Sequence, residues 1–150
     1  MFFAGVVGDT LGGILSDRWL RRTGRREVAR RNLVVIGMSG AVLALLPVPF
    51  VQDFAAAAFC LSLGFFFAEL TIGPMWAIPM DVAPRYSGTA SGLMNVGSAL
   101  AAIVSPVAAG WVIDRTGDWS LPFVGSTILM LLGVALAFHM HPERPLPEPD

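Results

Sequence analysis

Polar and charged positions along the chain fall in short bursts between long apolar runs. Asn32 to Phe50, Phe54 to Met80, Tyr86 to Ile113 and Trp119 to Phe138 together hold a single charge, Glu69. Each run approaches or exceeds the roughly 20 residues that a helix needs to cross hydrocarbon. The pattern predicts four full membrane spans, at about 32–50, 54–80, 88–113 and 120–138. Met1 to Ser16 is apolar apart from Asp9, but at ~1.5 Å per residue it reaches across only about 24 Å of a ~30 Å core. It is expected to be a fifth, truncated span over 1–16. A cleaved signal peptide is the rival reading, yet the arginines follow this apolar run rather than precede it. The closing "HPERPLPEPD" has four prolines in ten residues, which predicts a disordered tail over 139–150.

Composition sharpens the class. Apolar residues make up 55% of the chain, charged ones 14%, and mean hydropathy is +0.67, too oily for a water-soluble fold. The fold class is therefore an all-α membrane protein, with the lipid bilayer as first partner. Net charge of −1 gives no reason to expect a nucleic-acid partner. Cys60 is alone and lies inside a span, so it forms no internal disulfide. His139 and His141 stand two apart at a span end, and mark the water boundary better than they make a metal pair. No cluster of nucleophile, base and orienter, no metal-ligand spacing and no phosphate loop is present, so neither an enzyme nor a cofactor is expected.

Where the charge sits fixes an expected threading. All ten basic residues are arginines, and seven lie between Arg18 and Arg31. Arginines beside spans stay on the cytoplasmic side, which places the 17–31 loop inside, and alternation then places 81–85 and the C-terminus inside too. Nine arginines fall inside and only Arg115 outside, beside Asp114 and Asp118. The expected location is the cell inner (plasma) membrane, multi-pass. The basic run also suits anionic headgroups. Trp19, Trp111 and Trp119 fall near predicted span ends, as interfacial aromatics do.

A motif recurs across this threading. Gly13-Ile-Leu-Ser-Asp17-Arg18 closes the first span and Gly110-Trp-Val-Ile-Asp114-Arg115 closes the fourth, 97 residues later. The two copies lie on opposite predicted faces, the arrangement of three-helix units inverted in the membrane plane.

Few groups inside the spans carry chemistry. Glu69 is the only charge deep in a full span; an ionised carboxylate there costs about 2.5 to 3.5 kcal/mol or more, so it is neutral or has a partner. Three roles are open to it: proton coupling, contact with substrate or water in a cavity, or a structural hydrogen bond to another helix. Ser62, Glu69 and Trp76 are seven apart and would share one helix face with Gly73, and Pro74 invites a kink. Ser91, Ser98 and Ser105 also recur at seven, with Asn95 on the same side, beside a small-residue stripe of Gly97, Ala101, Ser105 and Ala109. The serines can serve packing, whereas the Asn95 amide needs a hydrogen-bond partner. Gly8 and Gly12 form a second close-packing motif on the first span.

These residues resemble the major facilitator superfamily of transporters. Its G-x-x-x-D-R, x-G-R-R signature is matched by Gly13, Asp17, Arg18, Gly24, Arg25 and Arg26, with four extra residues between Arg18 and Gly24. Within that superfamily, "PMWAIPMDVAPRYSGTASGLMNVGSALAAIVSPVAAGWVIDRTGDW" looks like the anion:cation symporters. The resemblance implies a major-facilitator-type helix bundle, incomplete, holding the eighth to twelfth of twelve helices. It implies a small organic anion as substrate, protons as coupling ion, and a missing N-terminal half as partner. Trp76 and Asn95 are then substrate contacts, with interfacial placement and interhelical bonding as the alternatives. Asp17 and the basic residues after it are then a cytoplasmic gate. The competing expectation is a non-transporting membrane scaffold, or a degenerate fragment without independent activity.

Overall fold

The computed structural model describes residues 2–143, and the fold is helical with no strand among them. Six α-helices run back and forth: α1 (Phe2–Thr23), α2 (Asn32–Leu45), α3 (Phe54–Glu69), α4 (Ile72–Val82), α5 (Ser87–Thr116) and α6 (Ser120–Ala137). Four stretches are long and apolar enough to cross a membrane: Glu27–Phe50, Phe54–Val82, Pro84–Thr116 and Ser120–Ala137.

Three expectations change. The supposed basic loop is mostly helix: α1 continues seven residues past Ser16 to Thr23, carrying Arg18, Arg21 and Arg22 with it. The reversal takes place at Gly24, whose φ of 66° lies in the left-handed region that glycine enters without steric cost. The chain then resumes as a π-helical turn, Glu27–Arg31, that feeds straight into α2. The span over 54–80 is not one helix either. It breaks between Glu69 and Ile72, one turn before Pro74. Proline has no N–H to give the carbonyl four residues back, which here belongs to Leu70. Leu70 and Thr71 keep right-handed helical dihedrals through the break. Finally, part of the predicted tail is packed: Pro142 is fully buried, while His139, His141 and Glu143 stay exposed; the remainder of the predicted tail, with Arg144, lies outside the described residues.

At the core α3 packs between α1 and α2, with α4 behind α1, α6 laid on α2, and α5 leaning on α4 and touching α6. Small residues set its spacing. Gly5, Gly8 and Gly12 are buried on one face of α1, and a Cβ added at Gly8 or Gly12 would run into the carbonyl oxygen of Phe66 or Leu70. Gly12 thus covers the carbonyl that Pro74 leaves without a donor. On the other side of α3, a Cβ at Gly37 of α2 would come 2.8 Å from the Phe67 carbonyl oxygen. Without bulky side chains between them the backbones approach closely, which is how helices associate where the surrounding solvent is itself apolar. In contrast, no residue of α5 is buried, and Gly97 meets nothing within 4 Å.

Candidate functional site

Two places on this frame carry chemistry, one at mid-span and one at the basic end. At mid-span, α3 stops at Glu69 and α4 starts at Ile72. The break is closed locally: Thr71 donates both its N–H, at 3.1 Å, and its hydroxyl, at 2.7 Å, to the Ala68 carbonyl. Glu69 is half-buried and lies against the glycine face of α1, its Cγ 3.2 Å from where a Gly5 Cβ would be. Among the described residues its carboxylate has no hydrogen bond or ion pair. Eight residues of α1 separate this level, at Gly8, from Ser16, which is about 12 Å along the helix.

The other residues expected around Glu69 do not converge on it through any bond among the described residues. Trp76 is 41% exposed on α4. Asn95 and Ser98 are exposed on α5, where Ser98 returns its hydroxyl to the Met94 carbonyl at 3.4 Å. Asp9, on α1, is exposed as well.

At the basic end the structure assembles a cluster around Arg30. The π-helical turn brings Ala29 and Arg30 into the interior together, an irregularity of the kind that recurs at functional positions. Arg30 donates from Nε to Asp81 Oδ2 at 3.1 Å, and from Nη1 to Ser16 Oγ at 2.6 Å and Asp17 Oδ1 at 3.2 Å. Ser16 passes the chain on, its hydroxyl donating to the Ala29 carbonyl at 2.8 Å. Arg26 Nε lies 3.6 Å from the other Asp81 oxygen. Two guanidiniums and two carboxylates thus tie the end of α1, the π-turn and the end of α4, and no buried polar side-chain atom among the described residues lacks a partner. Buried charge in this form is tolerated because it is matched and hydrogen-bonded.

Of the signature residues, Asp17 and Arg26 join this cluster. Gly13 packs where α1 crosses α4, its N 2.9 Å from where a Gly73 Cβ would lie. Gly24 makes the turn, and Arg25 sits 3.8 Å from Glu27 and 3.9 Å from Glu143. Arg18 is exposed and pairs with no carboxylate among the described residues. Sequence reasoning missed Arg30, Ser16 and Asp81. Nothing in a run of seven arginines singles out the one that turns inward, although Asp81, the first charge after a long span, was a visible partner.

At the opposite end, the Arg115 guanidinium lies 5.1 Å from the centre of the Trp111 ring. Asp118 accepts hydrogen bonds from the Ser120 hydroxyl at 2.7 Å and the Ser120 N–H at 2.8 Å, which hold its carboxyl below the ordinary aspartate range. No group of three metal-ligating side chains occurs among the described residues.

The family model of the Major Facilitator Superfamily matches residues 1–150. The chain belongs to that superfamily. Its helices are accordingly an incomplete major-facilitator-type bundle in a multi-pass membrane protein. Over 147 residues, 98% of this chain, it is 44% identical to a probable sulfoacetate transporter of Cupriavidus necator, of which the match covers 34%. It is 34% identical over 125 residues, 81% of this chain, to a probable galactarate/D-glucarate transporter of Escherichia coli, covering 27% of that protein. A putative uncharacterized protein of Escherichia coli is 59% identical over 78 residues, 52% of this chain and 95% of its own length. The chain thus spans about a third or less of the named transporters it matches. No solved structure gave a significant match. Transporters, not enzymes, are what this superfamily and these named relatives represent.

Proposed function

We propose that this chain contributes helices of the second half of a secondary transporter, one that moves a small organic anion together with protons by alternating access. The observation that carries the reading is the broken span: the only acidic residue deep in a full span, Glu69, sits where α3 ends and α4 begins anew. Broken helices near the midplane are where such transporters bind substrate, because each half-helix exposes terminal backbone groups. The first N–H groups of α4 present partial positive charge to an anion. An ionised Glu69 beside that anion would repel it, so protonation of Glu69 is the step that admits substrate.

Trp76, Asn95 and Ser98 face the same cavity in this reading. Each is exposed on its own helix, and polar groups within a span require water or another helix. The Arg30 cluster is the gate at the cytoplasmic end, closing when α1 and α4 are tied and opening when they part. Asp17 and Arg26 act in it directly, while Gly13, Gly24, Arg18 and Arg25 shape and charge its rim. Orientation follows the arginines, so the basic end and the C-terminus face the cytoplasm. A further set of helices, the N-terminal half, supplies the other wall, which fits the exposure of α5 and the greater length of the relatives.

A chimera tests this. The matching segment of the Cupriavidus necator relative is replaced by this chain, and uptake of labelled sulfoacetate and D-glucarate into vesicles is measured. Uptake of at least one of the acids is expected, and none from this chain alone. A chimera that reaches the membrane folded but moves neither acid refutes the proposal, and uptake by the chain alone removes the need for further helices.

A further inference from the structure

Beyond α6 the chain crosses the basic end of the bundle. Two turns close on the helix terminus, with His139 N–H on the Leu136 carbonyl at 2.9 Å and Met140 N–H on the Ala137 carbonyl at 3.1 Å. The His141 ring nitrogen Nδ1 sits 2.7 Å from the His139 carbonyl oxygen and tightens the bend. Three anchors follow from this bend. Met140 lines an apolar cleft of about 290 Å³ between α4 and α5, facing Met75, Ile78 and Val82 on one side and Ala90 and Met94 on the other. Pro142 is fully buried. Glu143 Oε1 accepts the Glu27 N–H at 3.4 Å and lies 3.9 Å from Arg25 Nε.

One short segment thus touches both the α4–α5 cleft and the turn between α1 and α2. We infer that residues 139–143 form a strap that lies over one side of the cleft between α4 and α5 at the basic end and must lift before those helices can separate there. Its hold is mainly apolar, through Met140 and Pro142, because the Arg25–Glu143 pair is solvent-exposed and such pairs contribute little. The small residue lining the cleft on the α5 side, Ala90, leaves room for the methionine without demanding it, so the strap is removable rather than part of the core. What the strap does to a transport cycle rests on the function proposed above; its seating does not.

The test uses the whole chain in lipid vesicles, with Cys60→Ala as background and a membrane-impermeant maleimide as probe. His141→Cys reports the exposed outside of the strap, and Met94→Cys reports the floor of the cleft. The thiol introduced at position 94 is expected to react at least about tenfold more slowly than the one at position 141, the protection that a closed local contact gives. Met140→Asp, or truncation after His139, is expected to bring the rate at position 94 to within about twofold of the rate at position 141. A second measurement leaves the strap intact: Met140→Cys with Val82→Cys should form a disulfide on mild oxidation, and adding Glu143→Arg should slow it. Fast labelling at position 94 with the strap present, or protection that survives its removal, overturns the inference, as does failure of the 82–140 pair to cross-link.

Discussion

Replacing Arg30 with methionine removes the charge at the hub of the basic-end cluster while keeping most of the side chain's length. The Arg30 side chain is 9% exposed and that of Asp81 17%, so their contact is made largely out of water; Asp17, at 61%, is mostly hydrated and adds little. Breaking a buried pair from one side costs about 3 to 5 kcal/mol, chiefly because the other charge is left uncompensated. Asp81 would still have Arg26 at 3.6 Å, and Ser16 would still donate to Ala29, which moves the expectation to the low end, about 3 kcal/mol. Asp81→Asn keeps one acceptor for Arg30 and should cost about 2 kcal/mol. The double variant Arg30→Met/Asp81→Leu should be less damaging than the sum of its singles by about 2 kcal/mol, since it leaves neither charge stranded. Arg21→Met, exposed and without an ion-pair partner among the described residues, should stay within about 0.5 kcal/mol of the parent. The assay is unfolding in mixed micelles at increasing SDS fraction, followed by the fluorescence of the four tryptophans. If Arg30→Met behaves like Arg21→Met, or if the two single effects simply add, the cluster is not a coupled unit and its role as a gate falls.

Three further outcomes follow from other parts of the molecule. Gly12→Val pushes a side chain into the Leu70 carbonyl and should lose about 1 to 3 kcal/mol or more, whereas Gly13→Ala, with nothing within 4 Å of its Cβ, should be close to neutral in the same micelle assay. Ser120→Ala should raise the Asp118 pKa, because it removes the largest of the hydrogen bonds that lower it; carboxyl carbon NMR titration reads the shift directly. The sign for stability is that a carboxyl with a lowered folded pKa stabilises the α5–α6 turn above its ordinary unfolded value and loses that contribution as pH falls through the folded one. The parent turn should therefore loosen in acid, and the Ser120→Ala turn should show less dependence on pH there. In the chimera, Glu69→Gln should flatten the dependence of anion uptake on external pH, and an unchanged profile would take Glu69 out of the proton path.

Much of the architecture was legible in the chain because lipid imposes a simple rule: backbone polar groups must be paired within the segment, so long apolar runs become helices. The four spans and the glycine face at Gly8 and Gly12 could be read from composition and spacing. The helix break could be anticipated only as a bend at Pro74, because the sequence shows which residue lacks a donor and not which turn upstream opens. The end of α1 was misplaced for a related reason. Arginines mark where a helix meets water, but they are good helix formers, so the charge boundary and the helix boundary need not coincide.

Local chemistry determined that this protein is a set of lipid-crossing helices with one acid deep inside a full span and a dense basic end. What only the tertiary structure decided is which of those charges meet. Arg30 differs from its six neighbours not by type but by direction, set by a π-helical turn and by the closeness of α1 and α4 that glycines allow. Asp17 and Asp81 are 64 positions apart in the chain, and no rule of periodicity links them. Direction and proximity of this kind come from packing, which sums many small contacts across distant segments, and a linear pattern does not hold that sum.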